Sequence, residues 1–463
     1  MGERFYLMDK EIMDGNVAAI VDYIREGETT HGGTHMLGFE LEHFVVDAET
    51  GALVPYASSE GYSRPGVEDV LHELDPLYEG EMQTLDVRGE RRVLGQARKG
   101  APITIEPGAQ MEVSIGPCEN AAQIETIYRR FRADVDPVLE GMGYKLVTRG
   151  YHPTAMASQI PLIPKHRYAM MDEYFHSTGN EGICMMRAGA STQVSIDYDG
   201  EADAMRKMKV ASAMGPLMFM ACDNAPVFEG ELVGVAGGSA KVTGSGLPVP
   251  NRMVRAHVWE NVDHDRCLAA PFLYGEDPSY ESYARMLLGL PPILTLDSPG
   301  DDSTSVYHGS TPAEEIYAGR ELARADIEHI LSMFFYDVRL KQYIEIRQPD
   351  SMPIEYGLSF ATLVRGIFYD QAQLDRLAAE FEGIGLYDIK DAVDALTLDG
   401  YGAQVYGRPA YDWLDEIMGC AHDGICALHP EGDEAARDAE LAYLDPLADL
   451  VARRTTLVEQ AGR

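Results

Sequence analysis

Two glutamates one residue apart, Glu40 and Glu42 in Gly38-Phe39-Glu40-Leu41-Glu42-His43-Phe44, could do chemistry that neither could do alone. In an extended strand alternate side chains face opposite ways, so both carboxylates share one face while Phe39 and Leu41 take the other. Three further segments have the same layout. Gln110-Met111-Glu112-Val113-Ser114-Ile115 sets Gln110, Glu112 and Ser114 against an apolar back, and Thr192-Gln193-Val194-Ser195-Ile196-Asp197 does so with Gln193, Ser195 and Asp197. Residues 339–347, read as one strand, bring Lys341, Tyr343, Glu345 and Arg347 together. A polar face is ordinary for an antiparallel sheet. Carboxylates side by side are not, because they repel unless a cation lies between them. Hard cations such as magnesium take oxygen ligands and bridge to substrate phosphates. The four segments together read as a bed for divalent metal beside a polyphosphate.

The elements that must position these residues follow from periodicity and breakers. Apolar spacing predicts helices over 9–27, 66–80, 119–142 (ending at Gly141 and Gly143), 165–176 and 201–222. Strand-and-turn patterning covers 83–115, with Glu106-Pro107-Gly108-Ala109 bending the chain ahead of Gln110. A strand is expected near 144–150 and a strand pair over 183–198. Helices are expected at 313–319, 321–335, 354–370 and through much of 371–463. Gly-rich 230–250 and Ser/Asp/Gly-rich 298–311 read as loops. Strands and helices without regular βαβ alternation indicate an α+β fold. With no repeat and no linker-like break, one catalytic domain over 1–370 with a helical part of the same domain at 371–463 is the simplest account.

The chain has 463 residues and a formal net charge of −37. That charge argues against non-specific nucleic-acid binding and against docking on anionic lipid, both of which require excess Lys and Arg. No apolar run is long enough to span a bilayer, and the N-terminal residues lack the pattern of a secretory signal. The six scattered cysteines include no CxxC pair, as expected of free thiols in a reducing compartment. The expectation is a cytoplasmic protein acting on small molecules, its oligomeric state open.

The stretches GFELEHF (38–44), EPGAQMEVS (106–114), IPKHRYAMMDEY (163–174), MMRAGASTQVSIDYDGEADAMRK (185–207), VRAHVWENVDHDR (254–266) and VRLKQYIEIR (338–347) run in one order. In that order they resemble the glutamate–cysteine ligases of the plant and proteobacterial type, within the glutamine synthetase-like carboxylate–amine ligases. The resemblance implies a curved, largely antiparallel sheet with a polar active-site face and helices on its other face. It also implies ATP- and magnesium-dependent amide formation, with manganese able to replace magnesium. The glutamate γ-carboxylate would take a phosphoryl group from ATP, and cysteine's amine would displace phosphate from the γ-glutamyl phosphate. The product, γ-glutamylcysteine, opens glutathione-type thiol synthesis.

Carried over residue by residue, the resemblance makes Glu40, Glu42, Glu106, Glu112 and Glu345 the metal ligands. Gln193 orients glutamate or a metal-bound water. Arg255 and Arg347 fork onto a carboxylate or phosphate, and Lys165 and Arg167 hold nucleotide phosphates. His152 and His257 could move protons, although lone histidines are more often packed; Trp259 is expected to pack rather than stack on adenine. The chain departs from the family pattern at Met253 and Val254, where a small hydroxyl residue is usual, and in the long connection 232–250. That connection lacks the spacing of a phosphate-binding loop. His308-Gly309-Ser310 sits in a further candidate substrate loop. These departures leave a second reading open, a γ-glutamyl ligase for another amino acid or small amine. A third is a non-catalytic metabolite-binding relative.

Overall fold

The computed structural model describes residues 2–28, 34–59, 62–78, 82–87, 89–234, 246–297 and 304–461, with 2–11 and 461 described in backbone only. Of the two Gly-rich loops read from sequence, 235–245 and 298–303 therefore lie outside the described residues.

Nine strands form one sheet. In chain order they are β1 (Leu37–Asp47), β2 (Met82–Val87), β3 (Glu90–Gln96), β4 (Ile103–Ile105), β5 (Met111–Cys118), β6 (Tyr144–Val147), β7 (Thr192–Ile196) and a late hairpin, Val338–Leu340 with Ile344–Ile346. Across the sheet the order is hairpin, β7, β1, β5, β4, β3, β2, and β6 pairs with the far end of β1. Every neighbouring pair is antiparallel. The α+β expectation and the polar-faced antiparallel sheet both hold.

The back of the sheet is dry because the alternation is strict. Phe39, Leu41, Met111, Val113, Ile115, Val194, Ile196, Ile344 and Ile346 are all buried. Helix α3 (Ala121–Met142) covers part of this face, capped by the Asn120 side chain on Gln123 N and ended by Gly143 at φ 79°. His43, which follows Phe39 and Leu41 onto the same side, packs between Tyr128 and Phe131 and bonds to Met111 O and Tyr128 Oη. Burial pushes it down to about 3, so it stays neutral. A second helix, Ile354–Tyr369, lies so close to β1 that a Cβ on Gly357 would sit 2.9 Å from the Phe39 ring. The same helix meets Ala410–Leu428 at Gly366 and Gly424, where an added Cβ would come within 2.3 and 1.9 Å of the facing backbone oxygens. The C-terminal helices thus share one continuous apolar core with the sheet.

Two local expectations are corrected. Residues 182–188 form a helix, α5 (Gly182–Ala188), rather than the first strand of a pair, since Cys-Met-Met-Arg-Ala carries no period-2 alternation to hold it in the sheet. Residues 339–347 form a hairpin, not one strand. The chain turns at 341–343, where Lys341 N donates to Tyr343 O, and Arg339 pairs with Glu345 across it.

A second, smaller core lies over the polar face, built from α4 (His166–Thr178), α5, α7 (Val254–Glu260) and their connections. The site is the seam between this roof and the sheet.

Candidate active site

The cross-strand register brings the predicted acids together. Glu42 of β1 pairs directly with Glu112 of β5, and Glu40 stands between Ser114 of β5 and Gln193 of β7. Glu40, Glu42, Glu112 and Gln193 line a cavity of ≈320 Å³ together with Glu106, Arg167, Arg255, Arg339, Lys341, Glu345 and Arg347. Nine of the ten site residues expected from sequence therefore meet in one cavity. The exception is Lys165. It heads α4 with its ammonium 5.0 Å from the centre of the Tyr168 ring, and its charge still reaches Glu106.

Glu106 does not lie in a strand. Pro107 and Gly108 turn the chain, Glu106 N donates to Gln110 O, and Ala109 takes φ 67° to close the turn. A Cβ on Gly108 would meet Arg187 O at 2.1 Å, so the turn presses directly on the end of α5. Gln110 fixes that contact: its Oε1 accepts from Gly108 N and its Nε2 donates to Gly189 O at 2.7 Å.

Glu42 is the most tightly held acid. Ser191 donates to it twice, from N at 2.7 Å and Oγ at 2.9 Å, and Gln193 Nε2 donates at 3.2 Å. Thr104 and Ser114 donate to Glu112. Burial, then mutual repulsion, pushes Glu40 and Glu112 up to about 8 and Glu106 up to about 7; Glu42 is also raised. Four carboxylates in this state, Glu42 and Glu112 buried and Glu40 and Glu106 half-buried, cannot all be ionised at neutral pH without added positive charge.

Opposite them stands a cationic group organised by Glu345. Its Oε2 accepts from Arg339 Nε and its Oε1 from Lys341 Nζ at 2.6 Å, with Arg347 3.4 Å away. Burial alone would raise Glu345, but Arg339, Lys341 and Arg347 hold it well below the usual carboxylate range. Both its oxygens are therefore taken by cations here, unlike those of an open metal ligand. Gln193 joins the two halves, its Oε1 accepting from Arg347 while its Nε2 faces Glu42. Among the described residues no three His, Cys, Asp or Glu side chains converge into a ready-made metal cage. Magnesium seldom uses one, since it keeps waters and binds one or two carboxylates plus substrate phosphates. The acid set fits such an ion.

Arg255 is buried at the head of α7. Its Nη1 donates to Gln348 O and Pro349 O, both at 2.9 Å, and lies 3.7 Å from Asp350. Met253, one of the two positions noted as departing from the family pattern, adopts φ 57° and its N–H is taken by the Asp223 carboxylate. Arg167 lines the cavity and donates to Ser332 at 3.4 Å. Tyr168, Met171, Met185, Met186, Val258, Trp259 and Phe335 form an apolar part of the wall.

His152 and His257 are packed residues, not lining the cavity. Nδ1 of His152 accepts from Ala155 N, its ring meets Phe44 edge-on, and burial pushes it down to about 4. His257 packs edge-on to Phe228. His308 bonds Thr295 away from the cavity. Trp259 stacks on Phe335 as expected, although it also forms part of the wall. Arg339, Ser191 and the methionine wall were missed from sequence. Arg339 was findable as the next alternate position before Lys341; Ser191 and the methionines carried no signal.

A sequence profile for glutamate-cysteine ligase family 2 (GCS2) matches residues 36–453. The chain is 24% identical over 449 residues to a chloroplastic glutamate–cysteine ligase of Medicago truncatula, covering 95% of this chain and 80% of that protein. It is 26% identical over 348 residues to the chloroplastic glutamate–cysteine ligase A of Oryza sativa subsp. japonica. That match covers 74% of this chain and 64% of the rice protein, just under two thirds of its length. Among solved structures, glutamate–cysteine ligase from Francisella tularensis in complex with AMP aligns over 92% of this chain and 84% of its own, at 11% identity and a TM-score of 0.49.

Proposed function

The chain belongs to glutamate-cysteine ligase family 2, and from that premise we propose that it joins the γ-carboxylate of glutamate to the amine of cysteine at the expense of ATP. The observation that carries this reading is the division of one cavity into a carboxylate bed and a cationic rim. A carboxylate is a poor electrophile, so it must be activated. A γ-carboxylate oxygen attacks the terminal phosphorus of ATP and ADP leaves, giving the mixed anhydride. The amine then attacks the acyl carbon, the C–O bond to phosphate breaks, and a proton leaves the nitrogen. Phosphoryl transfer of this kind depends chiefly on positioning and charge neutralisation.

Glu40, Glu42, Glu106 and Glu112 would hold magnesium, or manganese in its place. The bound ion would offset the charge shared by ATP and glutamate. Glu345, held here by Arg339 and Lys341, would join that set only on release from Lys341. Arg347 and Arg339 supply fixed positive charge for the transferring phosphoryl group, and Gln193 keeps Arg347 aligned with Glu42. Arg255 receives the glutamate α-carboxylate or a phosphate oxygen. Arg167 and Lys165 hold the nucleotide phosphates. The apolar wall of Met171, Met185, Met186, Trp259 and Phe335 suits an acceptor with a soft or apolar side chain, as cysteine has. We read residues 1–370 and 371–463 as one domain. No helix among the described residues is long and apolar enough to cross a membrane, and all six cysteines are free. A reducing, cytoplasmic setting suits them.

The test is magnesium-dependent ADP release with glutamate across cysteine and a panel of other amines, with product masses recorded. A cysteine-dependent signal and the mass of γ-glutamylcysteine are expected. Turnover with glutamate but a different preferred amine would retain the chemistry and replace the acceptor. No turnover with any pair would remove the activity.

A further inference from the structure

Arg255 reaches the cavity from a helix whose start is strained, so its orientation must be set by something other than helix geometry. Behind it lies Asp350, which is buried and does not line the cavity. Its Oδ2 accepts from Asn224 N at 2.7 Å, and its Oδ1 stands 3.7 Å from Arg255 Nη1. The seat is made by a missing side chain. A Cβ on Gly150 would come within 2.1 Å of Oδ2 and 2.2 Å of Cγ, so only glycine leaves room for this carboxylate. A second acid, Asp223, lies close by. Its Oδ2 accepts from Met253 N. Burial and the charge of Asp350 push Asp223 well above the usual carboxylate range, whereas Asp350 is pushed up only to about 6. Of this acid pair, Asp350 is the member that is ionised beside Arg255 at neutral pH.

The backbone around Asp350 extends the connection. Gln348 O and Pro349 O take the Nη1 protons of Arg255. Asp350 bridges to Ser191, Asp350 O accepts from Thr192 Oγ1, and Ser191 is the residue that holds Glu42. One short segment thus braces the arginine on one side and the acid bed on the other.

We infer that Asp350 is a positioning residue that fixes the Arg255 guanidinium from behind, and that Gly150 is required to admit it. The inference rests on the reading of Arg255 as a substrate-binding group. Asp350 touches no substrate, and replacing its side chain leaves its backbone links to Ser191 and Thr192 in place, so the replacement acts through Arg255.

The experiment is a double-mutant cycle on the full chain with Arg255→Gln, Asp350→Asn and the double variant. Its readouts are KM for glutamate, KM for ATP, kcat and the thermal midpoint. Arg255→Gln is expected to raise one of the two KM values at least tenfold. Asp350→Asn should raise that same KM severalfold and leave the other near its starting value. The double variant should be no worse than Arg255→Gln alone. If Asp350→Asn yields no folded protein, Gly150→Ala, which displaces the carboxylate without removing it, takes its place in the cycle. Losses that multiply in the double variant, or a KM effect spread equally over both substrates, would overturn the inference and leave Arg255 in its role. An Arg255→Gln enzyme with both KM values unchanged would remove the reading of Arg255, and the inference with it.

Discussion

Glu42 and Glu112 stand directly opposite each other across β1 and β5, two buried carboxylates paired in register where opposite charges or apolar residues would be stabilising. Nothing in the packing of the sheet requires this. The arrangement is sustained locally by Ser191, Thr104 and Ser114, which donate to the pair, and it makes sense where a cation is to be bound.

Replacing either member by Gln removes charge with little change of shape. Glu42→Gln and Glu112→Gln should each lower ADP release by about a hundredfold or more, as expected when a charge-neutralising ligand is lost. In metal-free buffer the same variants should melt no lower than the parent, since like-charge repulsion is relieved. Near-normal turnover across a magnesium titration would take that residue out of the ligand set.

The raised carboxylates set a pH dependence whose sign is fixed. Glu40, Glu106 and Glu112 titrate at about 7 to 8 in the folded chain against 4.5 ordinarily, so the folded state holds more protons between those values. By linkage the metal-free protein loses stability as pH rises from about 4.5 to about 8. Magnesium displaces those protons, so its affinity should rise with pH, on the order of tenfold per unit for each proton released. Calorimetric titration in buffers of different ionisation enthalpy would count them. An affinity flat from pH 6 to 8.5 would contradict the assignment.

The fold was readable where alternation was clean. Glu40, Glu42, Glu112 and Gln193 came from period-2 spacing in segments that are strands, and α3 from its apolar stripe and terminal glycine. The late hairpin was misread because 339–347 keeps its alternation through the turn at 341–343, so a bent and a straight chain give the same pattern. α5 was misread because a seven-residue helix is too short to display a helical period. Asp350 and Gly150 were invisible, because their meaning lies in a contact between segments 200 residues apart.

The C-terminal helices should unfold with the sheet. Gly366→Ala or Gly424→Ala forces a Cβ into a facing backbone oxygen, at a cost of about 1–3 kcal/mol for overpacking. The expected calorimetric trace is one transition displaced to lower temperature. Two separated transitions would show that the helical part is independent.

A net charge of −37 makes the compact state repel itself at low ionic strength. Potassium chloride shortens the screening length from about 30 Å at 0.01 M to about 3 Å at 1 M. The thermal midpoint should therefore climb steadily with salt over that range. A midpoint independent of salt would mean that the acidic surface carries no such cost.

The central claim is that the carboxylate bed and cationic rim activate glutamate as an acyl phosphate. Glutamate labelled with ¹⁸O in its γ-carboxylate, turned over with ATP and cysteine, tests it directly through the mass of the phosphate released. One ¹⁸O should pass into inorganic phosphate for each amide formed, because the oxygen that attacks phosphorus leaves with it. Phosphate carrying no label, with amide still being made, would contradict the account.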